Sequence, residues 1–141
     1  MARARPGDIV SRRKGLVMHK GISLGDGRVM HNTPFKGEHI CSEAEFRAGR
    51  RMYVNHLDGS QRQRAMRRME VTEDRNRRYN LLRNNCEHTV TRLTTGDARS
   101  PQLKSWIWGA GCAAAAFAVT RHPAITAAAY VAGRKWGSKD P

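Results

Sequence analysis

The chain has 141 residues, enough for one compact domain that buries roughly two-thirds of the surface its unfolded form exposes. Its 26 Lys and Arg against 12 Asp and Glu give a net charge of +14, which predicts attraction to polyanions such as nucleic acid, anionic lipid headgroups or acidic partners, without choosing among them. Three widely spaced cysteines (Cys41, Cys86, Cys112) and no Cys-x-x-Cys pair argue against a disulfide framework and offer no start to a structural zinc site.

The basic opening MARARPGDIV is followed by no apolar stretch of about 7–15 residues, so it does not read as a secretory signal peptide, and the expectation is a cytoplasmic protein with reduced thiols. Residues 7–10 and 16–24 read as strands divided by a basic turn at 11–15. Gly25-Asp26-Gly27 supplies the positive φ angles of a tight hairpin between residues 21–24 and 28–31, which places His19 and His31 on paired strands. Residues 34–38 have the composition of a loop. Ser42 and Glu45 have the spacing of a capping box, predicting a short helix to about Arg47. A strand over 51–56 and a turn at Asp58-Gly59 follow. The next segment is an Arg-rich helix with a solvated outer face, on which Ala65, Met66, Met69 and Val71 form one stripe.

Residues 79–93 read YNLLRNNCEHTVTRL. Cysteine is ordinarily a small buried hydrophobe, but Cys86 has Asn84, Asn85, Glu87 and His88 around it, so a packing role has little support from its neighbours. Val90 and Leu93 are three apart, and Asn84 or Asn85 is a suitable N-cap, which puts Cys86 in the first turn of a helix. There the unpaired N–H groups and the helix dipole should favour the thiolate and lower the thiol pKa from about 8.5. A cysteine nucleophile needs a base within hydrogen-bond reach and a third group to orient it. His88 is two residues away and should point to another side of the helix, fitting it to packing or hydrogen bonding; His19 and His31 remain as partners. The same three residues could instead hold zinc with an open position.

The last third changes character. SWIWGAGCAAAAFAVT holds about 16 uncharged residues, roughly 24 Å as a helix, short of a ~30 Å hydrocarbon core. Pro123 then divides it from AITAAAYVAGRKW, so two helices are expected, which could pack on each other, mediate oligomerisation or lie at a membrane interface with Trp106, Trp108 and Trp136. The expected division is residues 1–104 as the catalytic domain and 105–141 as an Ala- and Trp-rich helical tail. Cys41 and Cys112 read as small core residues. The Arg runs lack interleaved aromatics apart from Tyr53 and Tyr79 beside them, which argues against nucleic acid as the partner.

VMHKGISLGDGRVMH (17–31) followed by YNLLRNNCEHTVTRLTTGDARSPQ (79–102) resembles the lecithin:retinol acyltransferase family, with both blocks in order and the similarity covering most of residues 7–102. The resemblance implies an α+β, circularly permuted papain-like (NlpC/P60) fold, in which a small antiparallel sheet packs on the nucleophile helix. It assigns Cys86 as nucleophile, His19 as general base and His31 as the residue that orients the base, with no cofactor or metal. N–H groups at the start of the Cys86 helix would be the oxyanion donors. Lys20 stands where the family often has an aromatic or apolar residue, and Thr89 where it has Phe. The implied chemistry is transfer or hydrolysis of an acyl group through a Cys86 thioester, with acyl lipids as substrates and an anionic membrane surface as partner. The alternatives are a cysteine peptidase or amidase of the wider superfamily, and a non-catalytic basic module that binds nucleic acid or membrane.

Overall fold

The computed structural model describes residues 3–73, 78, 80 and 84–138. It contains two compact units, Met1–Arg99 and Ser100–Pro141. The first is α+β, with strands β1 (Ile9–Lys14), β2 (Val17–Ser23), β3 (Arg28–Thr33), β4 (Gly37–Ser42) and β5 (Met52–Asn55), and helices α1 (Glu43–Arg47), α2 (Gly59–Glu73) and α3 (Cys86–Thr95). The strands form one antiparallel sheet in the order β4-β3-β2-β1-β5.

The β2–β3 hairpin forms where the Asp-Gly step predicts it. Leu24 N–H donates to Arg28 O at 2.9 Å, and Gly25 and Gly27 take φ of 85° and 83°. Gly25 is required twice over, because a Cβ there would lie 2.4 Å from Pro6 Cγ. The basic segment at 11–15 is not a turn except at its end: β1 continues to Lys14, since β2 pairs with it along its whole length and β5 as far as Arg12, and Gly15 makes the turn with φ 61°. The loop expected over 34–38 ends early for the same reason, with Gly37 and Glu38 already paired to Thr33 and Asn32.

Side chains alternate across the sheet and divide the core into two layers. On one face, Ile22 and Met30 pack with Met69 of α2 and Val90 and Leu93 of α3. On the other, Val10 and Val29 pack with Phe46 of α1, which is fully buried. Helix α1 starts at the predicted capping box: Glu45 N–H donates to Ser42 Oγ at 3.2 Å, and Ser42 N–H to Glu45 Oε2 at 2.9 Å. Asp58 and Gly59 do not make a separate turn. Asp58 Oδ1 accepts from Ser60 Oγ and Gln61 N, so Asp58 caps α2 and Gly59 opens it. Ala65 and Met69 are buried as expected, but Val71 lies off their stripe and is 72% exposed. Arg68 ties α2 to the end of α3, donating to the carbonyls of Leu93 and Thr94 at 3.1 and 2.9 Å.

The second unit is a pair of helices, α4 (Pro101–Thr120) and α5 (Pro123–Gly137), separated at the expected proline break. They approach closely because glycines face large neighbours: a Cβ on Gly133 would come within 2.6 Å of Trp108 O. Ser105 Oγ donates to Arg134 O at 2.9 Å, and the Arg134 guanidinium lies 4.2 Å from the centroid of the Trp106 ring. Ile107, Trp108, Phe117, Val119, Ile125, Val131 and Trp136 remain exposed. Among the described residues no helix is long and apolar enough to cross a membrane.

Candidate active site

The hairpin sets the two histidines on adjacent strands of the Phe46 face. In the β2–β3 register Gly21 lies opposite His31, so His19 is one same-face step further along β2, close enough for the rings to meet. His19 Nε2 and His31 Nδ1 are 2.8 Å apart, a hydrogen bond between buried rings. Phe46 holds the pair, stacked on His19 and edge-on to His31 with both centroid distances 5.4 Å. Both imidazoles are held neutral. Burial, reinforced by the charges of Arg12 and Lys14, lowers the His19 pKa to about 4; burial and the neighbouring His19 and His39 lower that of His31 to about 3.

Cys86 approaches from α3. The β2–β3 pairing ends at Gly21↔His31, so the next β2 residue whose N–H points toward β3 has no strand partner there. That residue is Lys20, whose backbone N–H, like its ammonium, favours the Cys86 thiolate. Three side chains of the sheet, Asn32, Lys20 and Glu38, tie α3 down at this opening. Asn32 of β3 donates through Nδ2 to Asn84 O at 2.8 Å and to Thr89 Oγ1 at 3.1 Å. Lys20 Nζ pairs with the buried Glu87 carboxylate at 2.6 Å. Glu38 of β4 accepts from Thr89 Oγ1 at 2.9 Å and from Arg92 at 2.8 and 3.0 Å. Lys20 and Thr89 are thus tied into the site by polar contacts.

Asn85 is the N-cap of α3, its Oδ1 accepting from Glu87 and His88 N–H at 2.9 and 3.0 Å, while His88 Nδ1 receives the Asn85 N–H at 3.4 Å. His88 is therefore a capping residue, in keeping with the hydrogen-bonding role read from its position. The cap also spends two N–H groups that the sequence offered for oxyanion binding. Of the first-turn donors, the one with no acceptor among the described residues is the N–H of Cys86 itself.

The thiol does not follow the helix-dipole expectation. Burial raises the Cys86 pKa, and the Glu87 charge adds to it, while the Lys20 N–H and ammonium oppose both. Burial thus favours the neutral thiol of Cys86 and the neutral imidazoles of His19 and His31. Among the described hydrogen bonds His19 uses only Nε2, and its Nδ1 carries none. The structure thus brings His19 and His31 into direct contact, while among the described residues no hydrogen bond joins the Cys86 sulfur to either ring.

Three residues at the site were not singled out from sequence. Cys41, read as a small core residue, places Sγ 3.2 Å from His31 Nε2. His39 lies with its ring 4.3 Å from that of His31 and its Nδ1 2.9 Å from Gly37 O. Phe46 forms the floor under both histidines. None announces itself locally, because the first two depend on β4 pairing with β3 and the third on α1 folding back over the sheet. Among the described residues no group of three or more His, Cys, Asp or Glu side chains is placed to hold a metal ion. One cavity, of about 240 Å³, is bordered by His31, Phe35, His39, Cys41 and Glu45, and another, of about 430 Å³, by Arg12, Arg13, Lys14 and Arg50.

No protein-family model matches the chain. Among curated proteins it is similar to lecithin retinol acyltransferase from Bos taurus, 30% identical over 130 residues that cover 68% of this chain and 56% of the relative. The Mus musculus protein of that name is 29% identical over 135 residues, covering 71% of this chain and 58% of its own, and the Homo sapiens protein 28% over 130, covering 68% and 56%. The chain therefore spans less than two-thirds of the length of these relatives. With the His19–His31 hairpin pair and a cysteine at the head of α3 both in place, these similarities establish that the chain belongs to the lecithin retinol acyltransferase-like family.

Proposed function

We propose that the protein is a thiol-dependent acyltransferase or phospholipase-type hydrolase that takes an acyl group from a phospholipid or another acyl ester onto Cys86. The observation that carries this reading is the contact of His19 with His31 at 2.8 Å, together with a cysteine at the capped head of α3, whose thiolate the Lys20 N–H beside His19 favours. His19 accepts the Cys86 proton at Nδ1 as sulfur attacks the ester carbonyl, and His31 supports the imidazolium through Nε2–H of His19. The Cys86 N–H donates to the oxyanion of the tetrahedral intermediate. Collapse breaks the C–O bond, the departing alkoxide takes the proton from His19, and a thioester remains. An acceptor alcohol, amine or water then loses its proton to His19 while attacking the thioester, and the proton returns to the Cys86 sulfur as it departs.

The fold is read as circularly permuted papain-like, the nucleophile helix following the sheet that carries the base. Arg12, Arg13, Lys14 and Arg50 around the larger cavity give an anionic headgroup a place beside His19, since Arg12 is opposite His19 in the β1–β2 register. The net charge of +14 and the exposed tryptophans and aliphatic side chains of the helical pair support docking on an anionic membrane surface.

The test is to incubate the protein with phosphatidylcholine vesicles doped with phosphatidylglycerol, and separately with peptide substrates, and to follow lysophospholipid and peptide products. Lysophospholipid release by the wild type and its loss in Cys86→Ala are expected. Peptide cleavage without lipid turnover would move the assignment to a cysteine peptidase, and vesicle binding without turnover of either would make the protein a non-catalytic basic module.

A further inference from the structure

The His19–His31 pair is part of a longer chain of hydrogen bonds, and the far end of that chain decides which nitrogen of His19 is free of a proton. Cys41 of β4 has two contacts through its sulfur, at 3.2 Å to His31 Nε2 and at 3.3 Å to Ser42 O. A carbonyl oxygen has no proton to give, so the Ser42 contact is a hydrogen bond only if the Cys41 S–H donates to it. The sulfur is then an acceptor toward His31, and the hydrogen between them belongs to Nε2 of His31. A neutral imidazole carries one N–H, so His31 Nδ1 is bare and accepts from His19 Nε2–H across their 2.8 Å contact. His19 has then spent its own N–H, and its Nδ1 carries a lone pair. The opposite polarity fails at both ends. If Cys41 donated to His31, the Ser42 carbonyl would face a sulfur with no hydrogen, and His19 would carry its proton on Nδ1, where no proton could be accepted.

We propose that Cys41 is a positioning residue: anchored on the Ser42 carbonyl, it fixes the tautomers of His31 and His19 so that His19 presents an unprotonated Nδ1 as the base. This rests on the reading of Cys86 as the nucleophile, because the tautomer matters to the reaction only if His19 must take a proton from it. The charged and titratable groups around the relay are Arg12 and Lys14 of β1, Lys36 and His39 at β4, and Glu45 of α1. Burial and the Glu45 charge raise the Cys41 pKa, which keeps its proton in place over the working range.

The test compares wild type, Cys41→Ser and Cys41→Val in the full chain, with near-ultraviolet circular dichroism to check packing. The ¹⁵N chemical shifts of the His19 ring, assigned by their loss in His19→Gln, report the tautomer without reference to activity. Wild type and Cys41→Ser, whose hydroxyl can accept from His31 and donate to Ser42 O, should both carry the His19 proton on Nε2. Cys41→Val should show a mixture of tautomers and a five- to tenfold slower acylation of Cys86, by roughly the worth of one buried hydrogen bond, with Cys41→Ser restoring the rate. Cys41→Val with an unchanged His19 tautomer and rate overturns the proposal. So does a wild-type His19 protonated on Nδ1. An ordered tautomer that Cys41→Val disturbs, in a protein that forms no Cys86 adduct, leaves the relay standing and refutes the acyl-transfer reading instead.

Discussion

Acidification should unfold this protein through the two histidines at its centre. His19 and His31 are 5% and 6% exposed, with pKa values of about 4 and about 3 in the folded state. In the unfolded chain both return to about 6.5. A folded-state pKa below the unfolded one means that the unfolded chain binds more protons, so stability rises with pH across the interval between the two values and is lost as pH falls through it. Between pH 6.5 and 4 each ring therefore removes about 3 kcal/mol, with a slope near 1.4 kcal/mol per pH unit per ring. Together they approach the whole stability of an ordinary small domain. The assay is urea denaturation at half-unit pH steps from 7.5 to 4.5, comparing wild type with His31→Asn, which removes one titrating ring. The variant should lose about 1.4 kcal/mol per pH unit of the proton-linked slope, that is, close to one proton fewer taken up on unfolding. His88, whose pKa burial also lowers, and any other acid-sensitive group are common to both proteins and cancel in the comparison. Identical slopes for the two proteins would refute the placement of His31 as a buried neutral ring, and greater wild-type stability at pH 5 than at pH 7 would refute the sign of the argument.

Replacing Glu38 by Ala removes the acceptor that joins Thr89 and Arg92 of α3 to the sheet, and should cost about 3 kcal/mol by urea denaturation; a loss below about 0.5 kcal/mol would mean that α3 is held without it. Phe46→Ala takes away a fully buried ring and the surface on which His19 stacks, so a loss of about 3–5 kcal/mol is expected in the same measurement. Because burial raises the Cys86 thiol pKa, its alkylation by iodoacetamide should still accelerate above about pH 8.5. A plateau reached below pH 7 would instead reveal a preformed thiolate.

What could be read from the sequence was what short-range chemistry decides. Gly25-Asp26-Gly27, the Ser42–Glu45 box, Asn85 ahead of Cys86 and Pro123 between two apolar runs each satisfy or deny backbone groups within a few residues, and each marks a boundary seen in the fold. The surroundings of Cys41 read as strand-like, but GEHICS has no marked alternation to give the strand's extent or partner; β3 pairs with it along six residues. The extended form of the basic run at 11–14 is likewise imposed by pairing, with β2 along all four residues and with β5 at Ser11 and Arg12. Without the β3–β4 register, Cys41 and His39 could not be placed beside His31. The thiol pKa went the other way from the helix-dipole argument because local sequence reports the dipole but not the burial that outweighs it. Val71 was grouped with Met69 by hydropathy, although two residues along a helix separates their directions by about 200°.

The claim on which the account depends is that the Cys86 sulfur becomes acylated with His19 as its base. The direct measurement is intact mass followed by peptide mapping after rapid mixing with phosphatidylcholine vesicles and acid quench. A single fatty-acyl mass increment located on Cys86, absent from Cys86→Ala and strongly reduced in His19→Gln, is predicted. An increment that maps to another residue, or one that forms on Cys86 at the same rate without the His19 ring, would contradict it.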